Sequence, residues 1–185
     1  MNGSSSGKPE KGSKNPPKVP LEMVKTHRWV CWRYENRGGK PTKAPINPHK
    51  TSRHASSTNE TTWGSYEMAQ AKRPRDLTQG GIGWMLVPPY ISIDLDHCVD
   101  ADGELTPFAT GVVHHFAPTY TEWSPSGTGI RMFIKGELAS ARKTQLFELY
   151  TKLICTDGNV HFFCDTKMNQ EILIMVHPQE LPKLI

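Results

Sequence analysis

The sequence predicts an α+β fold. Short runs rich in aromatic and β-branched residues recur between Gly- and Pro-rich breaks, two stretches carry helical signals, and no internal repeat is present. With 185 residues, 36% of them hydrophobic, the chain can bury one good core and hardly two, so a single domain with extensions is expected.

Residues 1–20 are Gly, Ser, Lys and Pro with almost no large apolar side chain, which predicts a disordered basic tail. A strand is expected over 28–34 (Arg-Trp-Val-Cys-Trp-Arg-Tyr), closed by Asn36, Gly38 and Gly39. Pro41, Pro45 and Pro48 make 40–48 a loop or an edge strand, because proline cannot donate to a central ladder. Ser57 to Glu60 has the Ser-x-x-Glu pattern of a capping box. With Trp63, Tyr66 and Ala69 or Gln70 behind it, a helix is predicted over roughly 60–72, ended by Pro74. Strands follow over 83–87 and 90–95, joined through Pro88-Pro89, and then a helix over 107–115. A hairpin is expected from 119–123 and 130–135 around the loop 124–129, and a strand over 146–150. The main folded domain is expected to span 21–150. Residues 151–185 form an extension that can complete the sheet, with an apolar run over 171–176.

Charge is unevenly spread. Residues 25–54 hold eight Lys and Arg against Glu35 alone, whereas the chain from Ala55 onward has a net charge of −5. A basic front half is what a protein meeting polyanions on one side requires. There is no run of about 18 apolar residues to span a bilayer and no apolar N-terminal segment for secretion, so no membrane partner and a cytoplasmic location are expected. Cys31, Cys98, Cys155 and Cys164 are scattered without a Cys-x-x-Cys pair, which suits reduced thiols.

The sharpest chemical feature is Ile91-Ser-Ile-Asp-Leu-Asp96. Strand alternation puts Ser92, Asp94 and Asp96 on one face and Ile91, Ile93 and Leu95 on the other. Carboxylates this close repel unless a cation neutralises them, and hard oxygen ligands suit Mg2+ or Mn2+. Solvent-facing acids at a strand end are the plainer reading of Asp-x-Asp alone. Downstream, Ser124-Pro-Ser126-Gly127-Thr-Gly129 is a turn of small residues whose backbone N–H groups can approach phosphate, with Arg131 next on the strand. It lacks the Gly-Lys-Ser/Thr ending of a P-loop. Glu148 sits among apolar neighbours and needs a partner. For nucleic acid, Trp29, Trp32 and Tyr34 interleave with Arg28, Arg33, Arg37, Lys40 and Lys43. The tryptophans read as core, the cations as phosphate contacts, and Lys43 stands first among them.

Taken in order, Trp29-x-x-Trp32, Lys43-Ala-Pro-Ile-Asn-Pro48, Ala55-Ser-Ser-Thr58, Thr62-Trp63, Gly81-Ile-Gly83, Ile93-Asp-Leu-Asp-His97, Tyr120-x-Glu122 and Ser124-Pro-Ser-Gly-Thr-Gly129 resemble the primase-polymerase domains of phage and plasmid replication proteins, in the archaeo-eukaryotic primase superfamily. The resemblance runs from about Trp29 to Tyr150. It implies an RRM-like catalytic sheet packed on a second small α/β unit, and template-directed nucleotidyl transfer from nucleoside triphosphates on single-stranded DNA. It further implies that Asp94, Asp96 and Glu148 hold the Mg2+ or Mn2+ ions, while Ser124, Ser126, Gly127, Gly129 and Arg131 bind the nucleotide. Relatives carry His where this sequence has Arg131, and after the third carboxylate they continue into a Gly-Arg-Tyr-Phe-like strand that is absent here. Many relatives are fused to a helicase, so a replicative helicase is expected as a separate partner.

Other readings fit less well. A non-catalytic nucleic-acid-binding accessory protein is compatible with Arg131 and with the altered sequence after Tyr150. A topoisomerase-primase site needs an upstream metal-binding Glu, and Glu22, Glu35, Glu60 and Glu67 offer no convincing candidate. His114 and His115 are adjacent, so on a strand they could not share a face as a rolling-circle nickase requires. Cys155, His161, Cys164 and His177 fit no closed zinc pattern well.

Overall fold

A computed structural model describes residues 19–76, 79–117, 119–124, 127–136, 141–144, 147–150 and 153–156. The expected 1–20 tail, apart from Val19 and Pro20, and the apolar run 171–176 lie outside these residues, as does Ser126. The fold is α+β, with two antiparallel sheets and few helices.

The first sheet begins with α1 (Leu21–Val24), β1 (Trp29–Arg37) and β2 (Lys40–Ile46). Gly38 and Gly39 close this hairpin at φ 59° and 82°, left-handed values that a two-residue turn demands and glycine adopts without strain. β2 is therefore a strand, and it lies at the sheet edge, where Pro41 and Pro45 are tolerated. The predicted 60–72 helix begins later. Residues Glu60–Thr62 form a single 3-10 turn capped by Asn59, Gly64 then pairs with Trp29 in extended form, and Ser65 caps α2 (Tyr66–Lys72) by accepting the Met68 N–H. The Gly64–Trp29 bridge satisfies backbone groups that a continuous helix would have had to bond internally. β3 (Gly80–Leu86) pairs with β1 so closely that a Cβ on Gly80 would collide with the Trp32 carbonyl oxygen.

Pro88-Pro89 then hands the chain to the second sheet. It holds β4 (Tyr90–Leu95), β5 (Thr121–Trp123), β6 (Ile130–Lys135), β7 (Arg142–Lys143) and β8 (Glu148–Tyr150), with α3 (Pro107–Phe116) between β4 and β5. Strand order is β5-β6-β4-β8-β7. β9 (Leu153–Thr156) returns to pair with β3, so the first sheet has the order β2-β1-β3-β9.

Alternation on β4 sorts its two faces. Ile91, Ile93 and Leu95 pack with Ile130, Met132 and Ile134 against Ala109, Val112 and Phe116 of α3. Burying a side chain such as Phe116 contributes about 1.5–3 kcal/mol. On the opposite face, Tyr90, Phe133 and Tyr120 meet Trp84, Trp29 and Leu86 of the first sheet, with the Trp84 and Phe133 rings 6.1 Å apart. The first sheet thus covers one end of that face, and the carboxylates of β4 lie beyond the covered end. No helix among the described residues is long and apolar enough to cross a membrane.

Candidate active site

Strand register creates a rank of ionisable side chains across the second sheet. Glu122 opposes Arg131, Arg131 opposes Asp94, Asp94 opposes Glu148, and Glu148 opposes Lys143. Directly opposed residues of antiparallel strands project from the same face, so all five share it. Asp94 occupies the middle. Its Oδ1 accepts the Arg131 Nε–H and its Oδ2 the Nη2–H, both at 2.7 Å, and Oδ1 also accepts the Ser92 hydroxyl at 2.9 Å. Arg131 Nη1 lies 3.9 Å from Glu122 Oε1, and Glu122 Oε2 accepts the Tyr120 hydroxyl at 3.2 Å. Glu148 is paired with Lys143, and this contact raises the pKa of the lysine ammonium. The partner that a carboxylate among apolar neighbours needs is therefore five residues upstream.

Asp96 is exposed just past the last residue of β4, and the chain turns through His97 at φ 50°, a left-handed value uncommon for a residue with a Cβ. The turn 124–129 is built against this point. Ser124 Oγ accepts the Gly129 N–H at 3.0 Å, the Ser124 N–H donates to the Gly129 carbonyl at 2.8 Å, and the Gly127 N–H donates to the Ser124 carbonyl at 2.9 Å. A Cβ on Gly129 would stand 2.5 Å from the Leu95 carbonyl oxygen and 3.4 Å from the Asp96 Cα. Thr128 is also tied to the segment after Asp96, its carbonyl accepting the Cys98 N–H at 2.9 Å. Gly129 consequently lies beside Asp96 and Arg131 beside Asp94, with Ser124 bonded to Gly129 and Gly127 to Ser124.

Mg2+ and Mn2+ favour hard carboxylate oxygens, which is what Asp94, Asp96 and Glu148 offer. Among the described residues no three His, Cys, Asp or Glu side chains converge closely enough to hold an ion. Asp94 is engaged by Arg131 and Glu148 by Lys143. Asp94 and Glu148 share a face and offer the oxygen donors such an ion takes, with Asp96 just beyond the end of β4.

The cations predicted to meet nucleic acid divide between different surroundings. Lys43 Nζ lies 5.0 Å from the Trp32 ring centroid, on the face where Trp32 meets Tyr34 edge-on at 5.3 Å, and Tyr34 is 41% exposed. Arg33 and Lys40 belong to the other face of the β1–β2 hairpin. There Glu35 pairs with His54 at 2.9 Å, Arg33 at 3.0 Å and Arg37 at 3.4 Å, and the His54 contact leads in holding its pKa below the usual carboxylate range. Arg28 is turned onto Tyr90, 5.3 Å from its ring centroid. Trp29 and Trp32 are buried, as their core reading expects.

Sequence reasoning assigned no role to Glu122 or Lys143. Glu122 sits on the face opposite Thr121 and Trp123 in its strand, so alternation held the signal, but only the β5–β6 register brings it to Arg131.

No protein-family model matches the chain. Over 113 residues it is 34% identical to a protein of Nitratiruptor phage NrS-1 named DNA Primase-polymerase, a match covering 60% of this chain and 15% of that protein.

Proposed function

We propose that the chain belongs to the primase-polymerase family to which this similarity points, and that it carries the nucleotidyl-transfer centre of a template-directed DNA primase or polymerase of phage- or plasmid-type replication. Its substrates are nucleoside triphosphates and its template is single-stranded DNA. The observation that carries this reading is the joining of two features far apart in sequence: the Asp94 and Asp96 carboxylates and the 124–129 turn, which Gly129 seats against the Leu95 carbonyl.

Asp94, Asp96 and Glu148 are the residues to hold Mg2+ or Mn2+. When bound, such ions neutralise triphosphate charge and stabilise the charge that develops as a 3'-hydroxyl displaces pyrophosphate. Ser124, Gly127 and Gly129 shape the turn on which the phosphates rest, their N–H groups being bonded within it, and Arg131 offers a planar, permanently charged fork where relatives have histidine. Ser92, fully buried, fixes Asp94 through its hydroxyl. Lys43 beside Tyr34 tracks the template, the cation contacting phosphate and the exposed ring stacking on a base.

The direct test is incorporation of labelled nucleotides on single-stranded and primed DNA with Mg2+ or Mn2+, comparing the protein with an Asp94→Ala, Asp96→Ala double variant. Metal-dependent synthesis lost in the variant supports the proposal. DNA binding without synthesis in either protein favours a second reading, a nucleic-acid-binding replication accessory, to which the closure of Asp94 by Arg131 lends support.

A further inference from the structure

Asp94 is already neutralised by a cation that the chain itself supplies. Arg131 takes both carboxylate oxygens at 2.7 Å, and the two side chains are only 13% and 17% exposed, so water screens the pair weakly. Along the rank Glu122, Arg131, Asp94, Glu148, Lys143 each carboxylate has a cation beside it, while Asp94 and Glu148, both acidic, also oppose each other directly. Arg131 and Lys143 thus partly neutralise the three carboxylates of this face.

We propose that Arg131 competes with the divalent ion for Asp94, so that guanidinium and metal occupy this carboxylate in turn. The proposal rests on the reading of Asp94 as a metal-holding residue. A directly coordinated Mg2+ or Mn2+ sits at about 2.1 Å from its oxygen and draws on the lone pairs that the Arg131 fork uses. Two cations on one pair of oxygens also repel each other. Glu122 gives the displaced guanidinium a second acceptor, since Nη1 already lies 3.9 Å from its Oε1 and the Tyr120 hydroxyl holds the carboxylate in place.

Two consequences follow. Metal affinity is reduced by the fraction of molecules in which Arg131 has left Asp94. Triphosphate and metal bind with positive coupling, because an anion drawing Arg131 away frees Asp94, and by reciprocity the metal frees Arg131 for the anion.

The test is Mn2+ binding in the absence of nucleotide and DNA, read from the electron paramagnetic resonance signal of the free ion. It compares the unaltered protein with Arg131→Gln, Arg131→Lys and Asp94→Asn. Arg131→Gln is expected to bind Mn2+ more tightly, by about tenfold for a coupling of ordinary size, with Arg131→Lys between it and the unaltered protein. Equal or weaker binding by Arg131→Gln overturns the competition. Asp94→Asn is expected to lose the ion; if it binds as the unaltered protein does, the metal reading of Asp94 fails first. Should Arg131→Gln not fold, the Arg131 Nε–H resonance of the unaltered protein decides, assigned by its absence from Arg131→Lys. Saturating Mg2+ is expected to move it and speed its exchange with solvent, and an unmoved resonance overturns the proposal.

Discussion

Arg131 and Asp94 face each other across β6 and β4 and are joined by two parallel contacts, Nε to Oδ1 and Nη2 to Oδ2, each 2.7 Å. Planar forks of this kind are the strongest side-chain pairs in proteins, and partial burial strengthens this one. A double-mutant cycle with Arg131→Met and Asp94→Leu should give a coupling of about 1–3 kcal/mol in thermal or urea unfolding. Either single replacement should destabilise more than the double one, because it strands a partly buried charge. Additive single effects would show that the pair is not coupled in solution.

Gly127 and Gly129 should respond to alanine for different reasons. At Gly129 the added methyl meets the Leu95 carbonyl oxygen at 2.5 Å, so backbone must shift at the end of β4, costing about 1–3 kcal/mol. Gly127 faces open space and suffers only from its φ of 72°, about 1–2 kcal/mol. Nucleotide affinity should fall further for Gly129→Ala, because that change displaces the segment carrying Asp96. Equal affinity in the two variants would separate the turn from the carboxylates.

Acid should loosen the tie between α1 and the second sheet. Glu22 Oε1 accepts the Tyr90 hydroxyl at 2.6 Å and Oε2 meets Lys135 Nζ at 2.6 Å. Burial raises the Glu22 pKa, yet the Lys135 and Tyr90 contacts outweigh it and leave it below the usual range. A carboxyl depressed in the folded state stabilises above its unfolded pKa and loses that contribution as pH falls through the folded one. The same contact, after burial, helps push Tyr90 up to about 12, a contribution present below pH 10 and lost as pH rises toward 12. Glu22→Gln should therefore lower stability at pH 7 by about 1 kcal/mol or less after solvent screening, and flatten the acid limb of Tm against pH. An unchanged acid limb would remove Glu22 from the tie.

DNA affinity should separate Lys43 from Arg33. Lys43→Ala is expected to weaken single-strand binding and reduce the slope of log affinity against log salt by about one. Arg33→Ala should do less, since Glu35 already holds that guanidinium. A larger effect at Arg33 would move the template to the opposite face of the hairpin.

The acidic face of β4 was legible because alternation is local: Ser92 and Asp94 could be assigned to one face without knowing any partner strand. What stands opposite Asp94 was not legible, since Arg131 lies 37 residues away and reaches it only through register. The α2 start was missed for a related reason. Both Ser57 and Ser65 can cap a helix, and the choice fell to Gly64, whose backbone pairs with Trp29 in the first sheet.

The first sheet takes three strands from the beginning of the chain and its fourth, β9, from beyond the whole of the second sheet. The first sheet therefore cannot be excised as a contiguous fragment with every strand in place, whereas the strands of the second all lie between Tyr90 and Tyr150. Synthesis from the N-terminus leaves one side of β3 open until about 65 further residues have emerged, since Leu86 pairs with Leu153. A fragment cut after Tyr150 would keep every residue of the charged rank yet expose the backbone of β3, an adhesive rim that recruits strands from other molecules. β9 thus covers the rim of β3 and acts as a seal against self-association.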